Sequence, residues 1–335
     1  MLPPLASGPL ELVDEIPLGD DEKTYVAAAR AANTLKGYRS DWAEWCSWCA
    51  HEGLDPLAGE AAAISKYLVF LAAAGAKVGT MARRLSALRF AFRMRGLRDP
   101  TEAARVVAVW EGIRRTHGAP PDQAAPLMPP ELLDVLEACP ETKTWRTPVR
   151  PPEPDLAGAR DKALLLVGFV GALRRSELVA LDFEHVNDHP QGFVVTIPRS
   201  KTNQEGTEPE LVVLPIGPNP ARCPVQALHR WAELAGIASG PVFRPVSTGN
   251  KAVVRRLNAD TVNYLVQVAV KRAGINPLPY SAHSLRAGFV TYAHLRGASD
   301  RAIAHQTRHR SMATLGQYVR LQEAWQDNAA TQLGL

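Results

Sequence analysis

The stretch SAHSLRAGFVTYAHLRGASDRAIAHQTRHRSMATLGQYVR, Ser281 to Arg320, decides how the rest of the chain is read. His283 and Arg286 stand three residues apart, which in a helix brings both to one side within a turn. A second histidine, His309, is followed nine positions later by Tyr318. The pattern gathers cations around a phenol. An arginine fork matches two phosphate oxygens and does not lose its proton, and a phenol can attack phosphorus and hold a covalent intermediate. Elsewhere the chain has no G-x-x-x-x-G-K-[ST], no H-E-x-x-H, no EF-hand pattern and no acidic cluster with metal spacing. Charge on a pentavalent phosphate must then be met by fixed side chains, so no metal and no nucleotide cofactor is expected.

Upstream, ALRRSELVAL (172–181) holds two adjacent arginines and Glu177 after a strongly apolar helical segment, Ala159–Val170. The β-branched runs Phe193–Pro198 and Glu210–Ile216 flank RSKTNQEGTEP and predict a β-hairpin with an open polar loop carrying Lys201. Pro198 and Pro209 keep its ends at an edge. Further helices are expected at Glu131–Ala138, Val225–Ala235 and Asn258–Ala273, with a polar, proline-rich loop over Glu141–Pro154.

The N-terminal part reads as four helices. Leu35, Tyr38, Trp42, Trp45 and Cys49 recur at steps of three and four. Gly59–Ala74 is apolar almost all round, which predicts a central position in its bundle. A third helix from the cap Thr80 to Gly96 carries Met81, Leu85, Leu88 and Phe92, and a fourth, capped by Thr101, buries Val106, Trp110 and Ile113. Lys77, Arg83, Arg84, Arg93, Arg95, Arg114 and Arg115 are candidate phosphate contacts on this unit; a solvated basic face is the plainer reading of each. APPDQAAPLMPP (119–130) then reads as a linker.

A chain of 335 residues, 46% hydrophobic, can bury more than one core, so two domains are expected. Its net charge of +4 hides an asymmetry: the first 22 residues hold six acids and no Lys or Arg, which leaves the remainder at +10. That balance suits a polyanionic partner. No apolar run of 18 residues occurs, and the start lacks a signal peptide's basic and apolar segments, so a soluble, cytoplasmic protein with no membrane partner is expected. Cys46, Cys49, Cys139 and Cys223 are too scattered for a disulfide framework. The Cys46/Cys49 C-x-x-C lies in a helical pattern with no second pair, which favours packed thiols over zinc.

The order ALRRSEL, hairpin lysine, H-x-x-R, histidine, then tyrosine nine residues on resembles the tyrosine recombinase (phage integrase) family, the group of phage lambda integrase, Cre and the Xer recombinases. The resemblance runs from about Asn33 to the C-terminus. It implies a mainly α fold with a small β-sheet: an acidic flexible tail (1–22), a helical SAM-like core DNA-binding domain (23–118), a linker (119–130), an α+β catalytic domain (131–320) and a C-terminal helix (321–335) docking in cis or trans. Leu321, Trp325 and Leu333 would anchor that helix. The two domains would form a C-shaped clamp on DNA.

Carried over by position, Arg174 and Arg286 would grip the non-bridging phosphate oxygens, and Glu177 would orient its neighbours. An internal Arg174–Glu177 ion pair is the plainer alternative. Lys201 would be the general acid for the departing 5′ oxygen. His283 would take the tyrosine proton or hold the phosphate, His309 would hydrogen-bond it, and Tyr318, after a short helix capped by Ser311, would be the nucleophile. The family usually has Gly before that second histidine. Here Arg308 stands there, which puts the local backbone in question and suggests a further DNA contact.

The implied activity is site-specific recombination through a 3′-phosphotyrosine and a Holliday junction. The implied partners are a double-stranded inverted-repeat site and a homotetramer formed on it, with a monomer or weak oligomer off DNA. Two alternatives stay open: a catalytically silent DNA-binding regulator of the same fold, and a topoisomerase-like strand swivelase.

Overall fold

The computed structural model describes residues 19–120, 123–145, 150–198 and 210–308, and the chain divides between Asp122 and Gln123 into two compact units. Most of the expected tail, the loop with Lys201, His309, the Ser311 cap, Tyr318 and the segment 321–335 lie outside the described residues.

The first unit is helical. Its first helix, α1 (Asp20–Ala28), begins inside the expected tail, and its opening turn carries Asp20, Asp21 and Glu22, the sign of charge that a helix N-terminus favours. Helical structure therefore starts before residue 23. Then come α2 (Ala32–Glu52), α3 (Ala61–Ala73), α4 (Val78–Met94) and α5 (Ala104–His117). The expected stripes face inward: Trp42, Trp45 and Cys49 from α2, Met81, Leu88 and Phe92 from α4, Val106 and Ile113 from α5. The Trp45 ring lies 5.4 Å from Trp48 and 5.1 Å from Tyr67. Its indole N–H donates to the Pro56 carbonyl at 3.1 Å, so a large buried aromatic keeps its polar end satisfied.

Three local readings are corrected here. Helix α3 is not covered all round, because Val69 and Phe70 are exposed while Ile64, Tyr67 and Leu68 are buried. A small bundle has too few neighbours to enclose every side of one helix. Thr80 does not cap α4, which starts at Val78 after Lys77. Thr101 sits in a 3₁₀ turn, Pro100–Glu102, where Asp99 accepts its N–H at 2.9 Å. Cys46 and Cys49 pack into the core, and burial pushes the Cys49 thiol up to about 12.

The second unit opens with α6 (Glu131–Glu137), a pair of two-residue strands, β1 (Thr142–Lys143) and β2 (Glu153–Pro154), within the segment read as loop, and α7 (Leu156–Val170). After α8 (Arg175–Ala180) comes an antiparallel sheet of β3 (Val186–His189), β4 (Gly192–Ile197) and β5 (Glu210–Pro215) in that order. The predicted hairpin is β4–β5, in register at Val194 and Val213. The polar VNDH of β3 gave no alternation to read. Helices α9 (Pro224–Ala235), α10 (Ala259–Arg272), α11 (His283–Leu295) and α12 (Asp300–Thr307) complete the unit. From Ala163 onward α7 is apolar all round because it serves two cores. Leu164 and Val167 join the sheet and α9, whereas Leu165, Leu166 and Phe169 join α6, α10 and α11. No helix among the described residues is long and apolar enough to cross a membrane.

The expected linker is only partly a linker. Leu127 is fully buried, its N–H donates to the Ser284 carbonyl at 2.9 Å, and Ala125 N–H donates to Pro279 at 2.8 Å. A side chain at Gly288 would meet the Leu127 carbonyl at 2.0 Å, so only glycine admits this close backbone approach. Residues from Gln123 onward thus belong to the second unit. A Leu127→Ala substitution should cost about 2–5 kcal/mol in denaturant unfolding of that unit; a change below about 0.5 kcal/mol, typical of surface positions, would return the segment to linker status.

Candidate functional site

The site is built where two helices end. Helix α7 closes at Gly171, and Ala172 then turns left-handed, with φ 46. Leu173 drops into the core, and Arg174 becomes the residue before α8. Glu177 reaches back to that helix start: one carboxylate oxygen accepts the Arg174 backbone N–H at 2.9 Å and the other accepts its Nη1 at 2.6 Å. The ion pair foreseen as the plain reading of Arg174 is therefore formed. Glu177 engages Nη1 of the fork, and 19% of the arginine side chain stays exposed. Arg175 points elsewhere, to Asp260 at 3.0 Å on the surface.

Helix α12 supplies the second end. It is capped by Ser299, whose hydroxyl accepts the Ala302 N–H, and stops at Arg308 with φ 58 and ψ 40. The left-handed turn that glycine usually supplies is thus made here by arginine. Gln306 anchors the helix to the sheet, donating to the carbonyls of Val213 at 2.8 Å and Val170 at 2.9 Å.

Between these ends lies Arg286, one turn into α11 and 1% exposed. Its Nη1 donates to the Ala172 carbonyl at 2.7 Å and its Nη2 to the Thr307 carbonyl at 2.5 Å. Carbonyls at helix C-termini lack intrahelical partners and carry the negative end of the dipole. One guanidinium therefore closes α7 and α12 together. His283 opens α11 and is exposed, with its backbone N–H donating to Ser281 Oγ at 3.2 Å.

Arg308, expected as a DNA contact, is turned inward. Its side chain is 6% exposed, with Nη2 at 2.5 Å from Glu177 and Nε at 3.2 Å from Glu210. Burial pushes its pKa below the usual range while the two carboxylates pull it back up, and it stays a cation. Arg174, Glu177, Arg286 and Arg308 form one connected network, and the position of His309 follows directly. Lys201, His309 and Tyr318 are outside the described residues. Sequence reading missed Ala172, Glu210, Gln306 and Thr307. Three of the four act through backbone groups or short polar contacts that no motif records, and Glu210 carried no signal beyond opening a strand.

On the first unit the basic residues divide. Lys77, Arg93, Arg114 and Arg115 are exposed. Arg83 is largely exposed, though bonded to Asp41 at 2.9 Å, and Arg95 is half-buried. Arg84 is turned inward: it donates to Tyr67 Oη at 2.8 Å and pairs with Glu44 and Asp41. Asp41 is buried, which pushes its carboxyl above the usual range despite Arg83 and Arg84. The contacts place Arg84 in that inward network beside Tyr67 and Glu44, while Arg83 makes the direct bond to Asp41.

Residues 147–324 match the phage integrase family, and residues 23–95 match the phage integrase N-terminal SAM-like domain. An integrase/recombinase XerD homolog of Selenomonas ruminantium is 32% identical over 93% of this chain and 88% of its own. The tyrosine recombinase XerC of Azotobacter vinelandii is 30% identical over 86% and 85%. In fold, the chain is similar to the XerH site-specific recombinase solved as a post-cleavage complex on its difH substrate, with TM-score 0.63 at 15% identity over 93% of this chain and 83% of that one. It is also similar to lambda integrase (residues 75–356) bound to DNA, with TM-score 0.57 at 17% identity over 91% and 95%. With these matches spanning both units, the chain belongs to the phage integrase family of tyrosine recombinases.

Proposed function

We propose that this tyrosine recombinase cuts and rejoins duplex DNA at a specific inverted-repeat site through a 3′-phosphotyrosine on Tyr318. One observation carries the reading: Arg174 and Arg286, far apart in sequence, belong to a single network that ends one residue before His309. In the forward step the Tyr318 oxygen bonds to phosphorus as the bond from phosphorus to the 5′ oxygen breaks. His283 takes the phenol proton and Lys201 gives one to the departing oxygen. Arg174, Arg286 and His309 meet the charge that builds on the phosphoryl oxygens, and Glu177 keeps Arg174 in place.

The covalent link conserves the energy of the broken bond, so a 5′ hydroxyl from another strand reverses the step without a cofactor. Four copies would exchange strands pairwise through a four-way junction and separate to a monomer or weak oligomer off DNA. The compartment would be the cytoplasm, at the nucleoid. The exposed Lys77, Arg93, Arg114 and Arg115 would track the phosphate backbone.

On a suicide substrate, Tyr318→Phe should bind DNA normally and form no covalent adduct on a denaturing gel; an adduct in that variant removes Tyr318 from the reaction. Arg174→Ala should slow single-turnover cleavage by about 100- to 1000-fold, the loss typical of one preorganised charge donor, and a wild-type rate would exclude it from the site. Replacing Arg93 by Ala should reduce the salt slope of DNA binding by about one. Arg84→Ala should instead destabilise the first unit by about 3 kcal/mol, read by thermal melting, because it strips a buried carboxylate of a partner. The reverse assignment of those two effects would undo the division between exposed and inward arginines.

A further inference from the structure

Arg308 occupies an expensive position. A non-glycine residue in the left-handed region costs about 1–2 kcal/mol, and a buried guanidinium costs more unless its donors are met. Here both costs fall on one residue, with φ 58 and a side chain 6% exposed. What it gains is a bridge between two carboxylates: Nη2 donates to Glu177 at 2.5 Å, and Nε forms an ion pair with Glu210 at 3.2 Å without a hydrogen bond.

Each arm leads to a segment that carries part of the proposed chemistry. Glu177 holds Arg174 through its other oxygen at 2.6 Å. Glu210 opens β5, the far end of the hairpin connection in which Lys201 lies. The backbone of Arg308 itself joins the Thr307 carbonyl, which accepts from Arg286 at 2.5 Å, to the position of His309. Glycine at this point would make the turn at no cost and provide neither arm.

We propose that Arg308 is a positioning residue: its guanidinium locks the start of α8, the start of β5 and the end of α12 to one another, so that Arg174 and Arg286 are registered before DNA arrives. This rests on the recombinase reading above. It also assigns Glu210 a role, as the anchor through which the sheet feels the state of the α12 terminus. Glu177 pairs with both Arg174 and Arg308, and Glu210 pairs with Arg308, so the two carboxylates are tied into one chain of ion pairs.

The test is Arg308→Gly, which keeps the left-handed backbone and removes only the guanidinium, beside Arg308→Lys and Glu210→Gln. Single-turnover cleavage of a suicide duplex and the Kd for the same duplex are measured together. Arg308→Gly should cleave about 10- to 100-fold more slowly, the size of effect seen when a partner that orients a ligating side chain is lost, with its Kd unchanged from wild type. Arg308→Lys, which keeps the charge and one arm, should recover part of the rate, and Glu210→Gln should lose rate without losing affinity. Should Arg308→Gly fail to fold, Glu210→Gln carries the test by itself, since it removes the charge that makes one arm an ion pair and leaves the turn intact. Wild-type cleavage by Arg308→Gly, or by Glu210→Gln where that variant carries the test, overturns the proposal, as does a fall in affinity equal to the fall in rate, which would make Arg308 a DNA contact after all. A wild-type protein that forms no adduct overturns the recombinase reading and this inference with it; an active wild type beside an equally active Arg308→Gly overturns this inference alone.

Discussion

A guanidinium taken out of water must find acceptors for its donors, and in this fold the requirement falls on Arg286. Its place in α11, between Leu285 and Ala287 in the core, is fixed by packing. The acceptors it finds are the terminal carbonyls beyond α7 and at the end of α12. Each of those ends turns through a left-handed residue that is not glycine, Ala172 and Arg308. Backbone strain of that kind persists only where the surroundings hold it, and a single buried cation shared by two helix ends is such a surrounding. The consequence is functional geometry. The residues expected to meet a phosphate are registered through backbone carbonyls as much as through side chains.

Charge is handled differently in the two units. In the first, Asp41 is buried and surrounded by Arg83 and Arg84, and that network holds α2 and α4 together beside an aromatic core of Trp45, Trp48 and Tyr67. Arg84 is turned into this network, whereas Arg83 is bonded to Asp41 and still largely exposed. In the second, Arg174 and Arg308 share Glu177, Arg308 also reaches Glu210, and Arg286 is held by backbone carbonyls.

How much of this was legible before any coordinates is seen residue by residue. Apolar periodicity gave the inward faces of α2, α4 and α5, because Trp42, Met81 and Phe92 repeat at helical spacing. The β4–β5 hairpin was legible because Val194, Val195, Val212 and Val213 are β-branched between turn formers. Caps were not: Thr80 and Thr101 have the right chemistry and stand one turn from where the helices start. The connector misled for a similar reason, since its prolines mask Leu127, whose burial depends on a glycine far along the chain.

By itself the sequence determined the mainly helical class with its small sheet, and the family, since these follow from local spacing and from an ordered set of short motifs. Tertiary structure alone decided which arginines face solvent and which are spent internally. Arg84, Arg93 and Arg308 are chemically identical letters, and only the neighbours brought to them by folding, Tyr67 and Asp41 for one and Glu177 and Glu210 for another, distinguish a surface cation from a buried strut. The reason is that burial and pairing are long-range properties. No window of sequence around Arg308 contains the carboxylates that hold it.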